Sequence, residues 1–235
     1  MIDPVSDVRV KLKAASDEKT RVSGERFFKE NVSLYGVRSA IVGEISKQVY
    51  KEISDKDKSY IFRLCEELWK SGIMEESFVA CNWSYNVRKQ FNEDDIVIFE
   101  RWINSYVTNW ASCDTFCNHT VGDLVVRFPK LITHLKSWTG SQNRWMRRAS
   151  AVSLIVPARK GLFLNDIKEI ASNLLTDTDD MVQKGYGWML KSASKPHEND
   201  IFDFVMQNKA RMPRTALRYA IEKMPSELKA SAMAK

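Results

Sequence analysis

The chain has 235 residues, of which 44% are hydrophobic and 11% aromatic, which is enough apolar side chain for a sizeable core and excludes a disordered protein. Its net charge is +6, and no apolar run approaches the roughly 18 uncharged residues that a membrane span requires. The polar, mixed-charge opening at residues 1–19 lacks the apolar stretch of a signal peptide, so we expect a cytoplasmic protein.

Helices are predicted along most of the chain, because apolar residues recur at helical spacing and only nine glycines and six prolines interrupt them. Within residues 57–70 one apolar stripe is predicted to be buried, formed by Ile61, Leu64, Cys65, Leu68 and Trp69. The next long helix has a similar stripe, formed by Ile96, Phe99, Ile103 and Val107. Acidic pairs at 94–95 and 179–180 suit helix N-termini, where the helix dipole favours negative charge.

The helices are joined by short turns, so the sequence predicts a single domain over residues 1–235. We expect about a dozen helices in pairs about every 35 to 45 residues, the period of HEAT-type antiparallel repeats. Such repeats stack into a curved solenoid with a concave binding face. We therefore predict an all-α fold of HEAT-like helical repeats with a concave basic groove. An irregular helical bundle is the alternative architecture.

Positive charge is concentrated in the second half of the sequence. Residues 1–126 hold 17 Lys and Arg against 20 Asp and Glu, whereas residues 127–235 hold 19 against 10. A localised basic surface raises the concentration of polyanions near it. A solvated surface that merely keeps the protein soluble has a similar composition, so charge alone favours a nucleic-acid partner only weakly.

Two segments combine aromatic rings with charge. Trp110 and Asp114 are four residues apart, so that both side chains share one face of a helix. In residues 141–150, Trp145 is surrounded by three arginines, which are Arg144, Arg147 and Arg148. An arginine cluster beside an aromatic ring in the basic half is what phosphate binding requires, although a solvated helix face has the same pattern.

A third segment places two glycines beside a tryptophan. Lys184 is followed by Gly185, Gly187 and Trp188 within an otherwise helical pattern. Glycine in a helix interior costs about 1 kcal/mol relative to alanine. We therefore expect another group to approach the helix backbone closely at this point.

The order and spacing of these motifs resembles that of the AlkD-type DNA alkylation repair glycosylases. The motifs are Asn-Trp-x-x-x-Asp at 109–114, Trp-Met-x-Arg-Ala at 145–149 and Lys-x-x-Gly-Trp-x-Leu at 184–190. The likeness covers most of the chain, from Leu-Tyr-Gly-Val-Arg at 34–38 to Arg-Thr-Ala-Leu-Arg-Tyr-Ala-Ile at 214–221. The resemblance implies a HEAT-like solenoid whose DNA-facing cleft is lined by one aspartate, two tryptophans and one arginine. These fall on Asp114, Trp110, Trp188 and Arg148.

The resemblance implies a glycosylase of base excision repair that acts on cationic alkylpurines such as 7-methylguanine and 3-methyladenine in duplex DNA. Alkylation makes the base a cationic leaving group, so catalysis mainly requires stabilising an oxocarbenium-like sugar and placing a water molecule. Asp114 suits both tasks by the electrostatic logic of glycoside hydrolysis. Trp110 and Trp188 offer electron-rich faces to a cationic base or sugar.

Four basic residues are predicted to bind the DNA backbone, namely Arg148, Arg144, Arg147 and Lys184. No motif positions a lysine as a Schiff-base nucleophile, so we expect a monofunctional hydrolase without lyase activity. We expect no cofactor and no metal, and a monomer that binds double-stranded DNA containing alkylated bases. We expect neither a membrane nor an obligate protein partner, and in a prokaryote an association with the nucleoid.

Each assignment has an ordinary alternative. A tryptophan taken alone is more often a core residue, as we expect for Trp69, Trp83, Trp102 and Trp138. Asp114 has the alternative of an acidic residue that stabilises a helix start. The four cysteines are expected to be reduced and packed, and a zinc site at Cys113, Cys117 and His119 lacks a fourth ligand. At the level of the whole protein, the alternatives are a non-catalytic DNA-binding repeat protein that recognises damaged or branched DNA and a protein-interaction scaffold.

Overall fold

A computed structural model describes residues 3–234, and most of these residues are helical. Apart from an isolated bridge between Ser33 and Ile73, this range contains no β-structure. Its α-helices are α1 (Pro4–Ala14), α2 (Glu18–Phe27), α3 (Ser39–Glu52), α4 (Lys58–Lys70), α5 (Met74–Asn86), α6 (Asp95–Tyr106), α7 (Trp110–Phe116), α8 (Gly122–Arg127), α9 (Ile132–Trp138), α10 (Arg144–Val152), α11 (Ile155–Arg159), α12 (Leu164–Asn173), α13 (Asp180–Ala193), α14 (Glu198–Asn208), α15 (Arg214–Ile221) and α16 (Ser226–Met233).

The helices form two compact units, and we describe each unit by itself. The first unit is Met1–Phe116 and the second unit is Cys117–Lys235. A single domain over residues 1–235 stays a prediction. In residues 3–234 no helix combines the length and the apolar character needed to cross a membrane.

The core of the first unit is aromatic. Helix α4 packs on α5, and the predicted stripe of α4 is buried along its whole length. Phe62, Phe99 and Phe116 contact Trp102 with ring centroids 5.3 to 5.9 Å apart. The four tryptophans predicted to be core residues are buried, as are all four cysteines, none of which forms a disulfide within residues 3–234.

A buried carboxylate fixes the connection between α2 and α3 in the first unit. Glu75 accepts hydrogen bonds from three consecutive backbone N–H groups, at 3.1 Å from Tyr35, 2.8 Å from Gly36 and 3.0 Å from Val37. Gly36 has a φ of +85°, and a Cβ there would lie 2.5 Å from the carbonyl oxygen of Asp17. The carbonyl of Gly36 accepts from the N–H of Asp17, whose side chain caps α2. Glu75 on α5 therefore positions α2, which buries no residue of its own.

Close contact between α13 and α15 organises the second unit. A Cβ on Gly187 would lie 2.7 Å from the Cβ of Tyr219 and 2.8 Å from the carbonyl oxygen of Ala216. A Cβ on Gly185 would lie 3.3 Å from the Cγ of Arg148. The predicted close approach to the backbone is therefore confirmed at both glycines: α15 packs against one of them and an arginine side chain against the other.

The acidic pairs mark helix starts, as predicted. Helix α13 begins at Asp180, and the side chain of Asp179 accepts from the N–H groups of Met181 and Val182. Helix α6 begins at Asp95 with Asp94 as its N-cap residue. Carboxylates at these positions satisfy or neutralise the N–H groups that the first helical turn leaves without an intrahelical partner.

Candidate functional site

Trp110 and Asp114 lie on the outward face of α7. The helix is capped by Asn109, whose side-chain oxygen accepts from the N–H of Ser112 at 2.9 Å. Trp110 is the first residue of the helix, and Asp114 follows one turn later on the same face. Both are half-buried, whereas Ser112 and Cys113 between them are buried. The predicted pair therefore shares a partly solvated face. A carboxylate stabilises a helix start only within the first turn, and Asp114 lies beyond that turn.

Trp110 belongs to a cluster of three aromatic rings that could not be predicted from the sequence. Its ring stacks on Phe28 with centroids 5.3 Å apart and an interplanar angle of 28°. Phe27 contacts the same ring edge-on at 6.0 Å, and 71% of Phe27 is exposed. The consecutive phenylalanines at the end of α2 were the available signal, but they are distant in sequence from Trp110 and follow no helical period with it.

A shallow, open cationic cavity of about 670 Å³ lies beside the exposed ring of Phe27. Its lining includes Lys19, Arg26 and Arg38, all within the first unit. This unit carries 17 Lys and Arg against 19 Asp and Glu, so its net charge gave no indication of a basic surface. Cations can bind phosphates, and an aromatic ring beside them can stack on a base or a sugar.

Arg148 is a residue of α10, and its side chain packs against α13 in the second unit. It is 5% exposed, and its guanidinium donates a hydrogen bond to the carbonyl oxygen of Met181. Its side chain packs against Gly185, whose missing Cβ leaves the room that the guanidinium and its stem occupy. This position fixes the side chain relative to α13, the helix that carries Trp188. A role in binding phosphate stays a prediction.

The other predicted DNA-binding residues form ion pairs with acidic residues at the start of α13. Arg147 pairs with Asp177 at 2.6 Å and donates to the backbone carbonyls of Ser141 and Gln142. The side chains of Arg147 and Asp177 are 20% and 10% exposed, so a solvated helix face does not describe this arginine.

Arg144 and Lys184 are paired in the same region. Arg144 pairs with Asp179 at 2.9 Å and lies over the ring of Trp145, 4.9 Å from its centroid. Lys184 pairs with Asp180 at 3.2 Å. These carboxylates offset part of the positive charge of the cluster, and phosphate binding by Arg144, Arg147 and Lys184 stays a prediction.

Trp188 is half-buried on α13, although its neighbours Gly187 and Met189 are buried. Its side chain lines an open cavity in the second unit rather than the core. In the first unit, Trp110 therefore contacts Phe27 and Phe28. In the second unit, Arg148 contacts α13, the helix that carries Trp188.

The zinc alternative has no geometric support in the part of the chain that the structure describes. No group of three or more His, Cys, Asp and Glu residues in that part could hold a metal ion. Cys113 and Cys117 are fully buried, whereas His119 is exposed. Apolar packing accounts for the two cysteines.

Solved structures share this fold. A predicted DNA alkylation repair enzyme from Enterococcus faecalis superimposes with a TM-score of 0.80 at 18% identity, covering 90% of this chain and 97% of that one. The protein smu.31 from Streptococcus mutans matches with a TM-score of 0.57 at 19% identity, covering 82% and 97%. The Pseudomonas fluorescens alkylpurine DNA glycosylase AlkC, bound to DNA containing an abasic site analogue, matches with a TM-score of 0.54 at 13% identity, covering 98% and 66%.

At these identities the likenesses concern the fold alone, and they confirm the predicted all-α helical-repeat class. No curated protein matches the chain. The family model described as "DNA alkylation repair enzyme" matches residues 8–224, which is most of the sequence. The chain therefore belongs to the DNA alkylation repair enzyme family.

Proposed function

We propose that this protein is a monofunctional DNA glycosylase that hydrolyses the N-glycosidic bond of cationic alkylated purines in duplex DNA. The observation that carries the proposal is the pair formed by Trp110 and Asp114, a half-buried carboxylate one helical turn from an indole that stacks on Phe28. A carboxylate beside electron-rich rings favours a positively charged ligand or transition state. Membership of the DNA alkylation repair family supports a damaged-DNA substrate.

In the proposed reaction the bond between C1′ of the deoxyribose and the ring nitrogen of the base breaks first. The bonding electrons go to the cationic base, which leaves as a neutral molecule, and the sugar becomes oxocarbenium-like. Asp114 stabilises this positive charge and orients a water molecule whose oxygen bonds to C1′. The water proton passes to the carboxylate or to solvent, and the product is an abasic site in an intact strand.

The aromatic rings contribute by attracting the same positive charge. A cation over an indole face gains about 0.5 to 2 kcal/mol, with the larger values in desolvated sites. Stacking on Phe28 restricts the orientation of the Trp110 ring, so less ordering is needed when DNA binds. We assign Trp188 the corresponding role in the second unit.

Basic residues of both units supply the attraction to DNA in this proposal. In the first unit the cationic cavity beside Phe27 is lined by Lys19, Arg26 and Arg38. In the second unit the predicted contacts are Arg148 and its basic neighbours. The partner is double-stranded DNA that contains alkylated bases, bound by a monomer in the cytoplasm.

Replacing Asp114 by Asn tests the catalytic assignment. The variant keeps the shape and a hydrogen-bonding side chain but loses the negative charge. We expect single-turnover release of 7-methylguanine to fall by at least about 100-fold, the loss typical for removal of one electrostatic contact to a transition state. DNA affinity, measured by fluorescence anisotropy, should change by no more than about twofold, because the lost charge does not attract phosphate.

The matched control is Asp203→Asn, which removes the same charge from an exposed position on α14. It should leave base release and DNA binding unchanged. Full activity of the Asp114→Asn variant would show that another group stabilises the sugar. A variant that folds but no longer binds DNA would show that Asp114 acts in binding.

A non-catalytic DNA-binding protein is the second candidate function. It is favoured by the cationic cavity beside Phe27 and by the open cavity beside Trp188, whose lining includes Arg159, Lys191, Lys195 and Lys223. These cations would attract phosphates without any contribution from Asp114. This candidate predicts salt-dependent DNA binding without release of a base, because neutralised phosphates release counterions whatever step follows.

A further inference from the structure

A cavity of about 430 Å³ in the first unit is lined mainly by acidic and apolar side chains, and we call it the acidic cavity. It lies where the N-terminal end of α1 meets the C-terminal end of α3 and the first turn of α4. Its charged residues are three carboxylates, Asp3, Asp7 and Glu52, and one lysine, Lys11. None of these residues lines the cationic cavity of the same unit. The volume is within the range of about 300 to 1,000 Å³ that is typical of ligand sites.

The acidic cavity has more negative charge than the protein itself offsets. Lys11 pairs with Asp7, so these two charges compensate each other. Asp3 accepts hydrogen bonds from the backbone N–H and the hydroxyl group of Ser6, both uncharged donors. Within residues 3–234 neither Asp3 nor Glu52 pairs with a basic residue. Two negative charges at the cavity are therefore available to a positively charged ligand.

Glu52 lies at a position where a negative charge is unfavourable for the fold. It is the last residue of α3, a helix of 14 residues, and the C-terminal end of a helix dipole is negative. Asp3 and Asp7, by contrast, lie at the N-terminal end of α1, where carboxylates cap and stabilise a helix. Helix stability therefore accounts for the two aspartates but not for Glu52. A cation bound beside Glu52 would offset both its charge and the dipole of α3.

Apolar and aromatic side chains complete the lining of the acidic cavity. Val49 and Ile53 are buried and form an apolar wall together with Pro4. Tyr60 adds an aromatic ring, and the guanidinium of Arg63 lies 5.4 Å from the centroid of that ring. The ring thus already attracts a guanidinium of the protein itself. A ligand that has both an aliphatic stem and a cationic head would contact all of these groups.

An arginine side chain fits this lining better than other cations. Its planar guanidinium has five donors and forms two parallel hydrogen bonds with one carboxylate, whereas a lysine ammonium acts as a point charge. A metal ion would gain nothing from the apolar wall, and no group of acidic, His or Cys residues in the described part of the chain could hold one. The two available negative charges match a segment that carries two arginines.

We propose that the acidic cavity binds a segment of a partner protein that contains two neighbouring arginines. The side chain of one arginine lies along Val49 and Ile53 with its guanidinium paired with Glu52, and the second arginine is attracted by Asp3. The proposal does not rest on glycosylase activity. It assigns a protein-binding surface to residues of the first unit that are separate from Trp110, Asp114 and the cationic cavity.

The test titrates the isotope-labelled protein with the peptide acetyl-Gly-Arg-Arg-Gly-amide and follows the backbone N–H resonances by NMR. We expect saturable shifts that are largest at residues 3–7 and 49–54. A citrulline peptide of the same shape, which lacks the charge, should bind at least about tenfold more weakly. The lysine counterpart should bind at least about threefold more weakly, because an ammonium does not form the paired hydrogen bonds. Equal affinity for the arginine peptide and either counterpart, or shifts confined to other residues, would overturn the proposal.

Replacing Glu52 by Gln separates ligand binding from folding. The variant should lose at least about fivefold in peptide affinity, because one charge-assisted contact is removed. Its melting temperature should rise by about 1 to 4 °C, because the unfavourable charge at the end of α3 is gone. Glu44→Gln, which removes the same charge from an exposed position on α3 outside the cavity, should change neither quantity. Unchanged affinity in Glu52→Gln, or a loss of both affinity and thermal stability, would overturn the role of Glu52 in binding.

Two other occupants of the acidic cavity are outcomes of the same experiments. The diamine 1,4-diaminobutane serves as a competitor at constant ionic strength. Weaker binding of the diamine than of the peptide supports the proposal, whereas tighter binding would assign the cavity to a small organic cation. Sedimentation measures the oligomeric state. A monomer supports the proposal, whereas a dimer that Glu52→Gln abolishes and Glu44→Gln retains would identify a second copy of this chain as the occupant.

Discussion

Trp110 stacks on Phe28, the residue that follows helix α2, and α2 buries no residue of its own. The pairing of Trp110 with Asp114 could be predicted from the sequence, because a separation of four residues places two side chains on one helical face. The stack on Phe28 could not, because it depends on the connection that Glu75 holds against α5. Local spacing therefore predicted the pair of Trp110 and Asp114. The stack of Trp110 on Phe28 results from the packing of segments that are distant in the sequence.

Replacing Phe28 by Ala is expected to weaken the site without removing any proposed reacting group. The stack is of a kind that contributes about 0.5 to 1.5 kcal/mol beyond simple burial. If it restricts the Trp110 ring in the productive orientation, the rate of base release should fall about three- to tenfold. Single-turnover kinetics on a duplex with one 7-methylguanine measure this. Val97→Ala, a truncation of an exposed apolar residue on α6, is the control. An unchanged rate in Phe28→Ala would mean that Trp110 is oriented by other contacts.

At the scale of elements, the start of α13 shows what the sequence could and could not predict. Asp179 and Asp180 were expected at a helix start because negative charge is favourable there. Gly185 and Gly187 were expected at a close contact because glycine is unfavourable inside a helix unless another group approaches the backbone. The contact partners, Arg148 and α15, come from elements distant in the sequence. The ion pairs from Arg144, Arg147 and Lys184 to the same acidic segment were also missed, because charge patterning within one helix does not reveal its neighbour's charges.

Replacing Gly187 by Ala tests the packing of α13 on α15. A Cβ at this position would lie within 2.8 Å of a backbone oxygen, so the helices must move apart. We expect the free energy of unfolding to fall by about 1 to 3 kcal/mol, the usual effect of overpacking. Gly43→Ala on α3 is the matched control: a Cβ there meets nothing within 4 Å and should stabilise the protein by about 0.5 to 1 kcal/mol. Equal effects in chemical denaturation would contradict the close contact.

Replacing Arg147 by Ala tests whether this arginine stabilises the second unit. It removes charged hydrogen bonds to Asp177 and two backbone carbonyls, and such bonds contribute about 1.5 to 3 kcal/mol. We expect a comparable loss in the free energy of unfolding measured with urea. Arg211→Ala, which truncates an exposed arginine, should cause no measurable loss. Equal stability of the two variants would show that the ion pair with Asp177 contributes nothing.

At the scale of the whole molecule, the sequence predicted the helical-repeat class and the concentration of basic residues in the second half. The first prediction followed from the helical spacing of apolar residues, and the second followed from the number of charged residues in each half of the sequence. Counting missed the cationic cavity at Lys19, Arg26 and Arg38, because acidic residues elsewhere in the first unit cancel its charge. The choice of Asp114 among the acidic residues followed from the order of motifs, because its four-residue spacing from Trp110 predicts a shared helical face but not a reaction.

The most direct measurement of the central claim is release of free base from a duplex with one 7-methylguanine, under single-turnover conditions with the protein in excess. Chromatography of the supernatant quantifies the free base, and alkaline treatment of the DNA quantifies the abasic site. We predict equal amounts of the two products, with the strand intact until alkali is added. Failure to release any base, while the same duplex is bound by the protein, would contradict the proposal that this member of the family is a glycosylase.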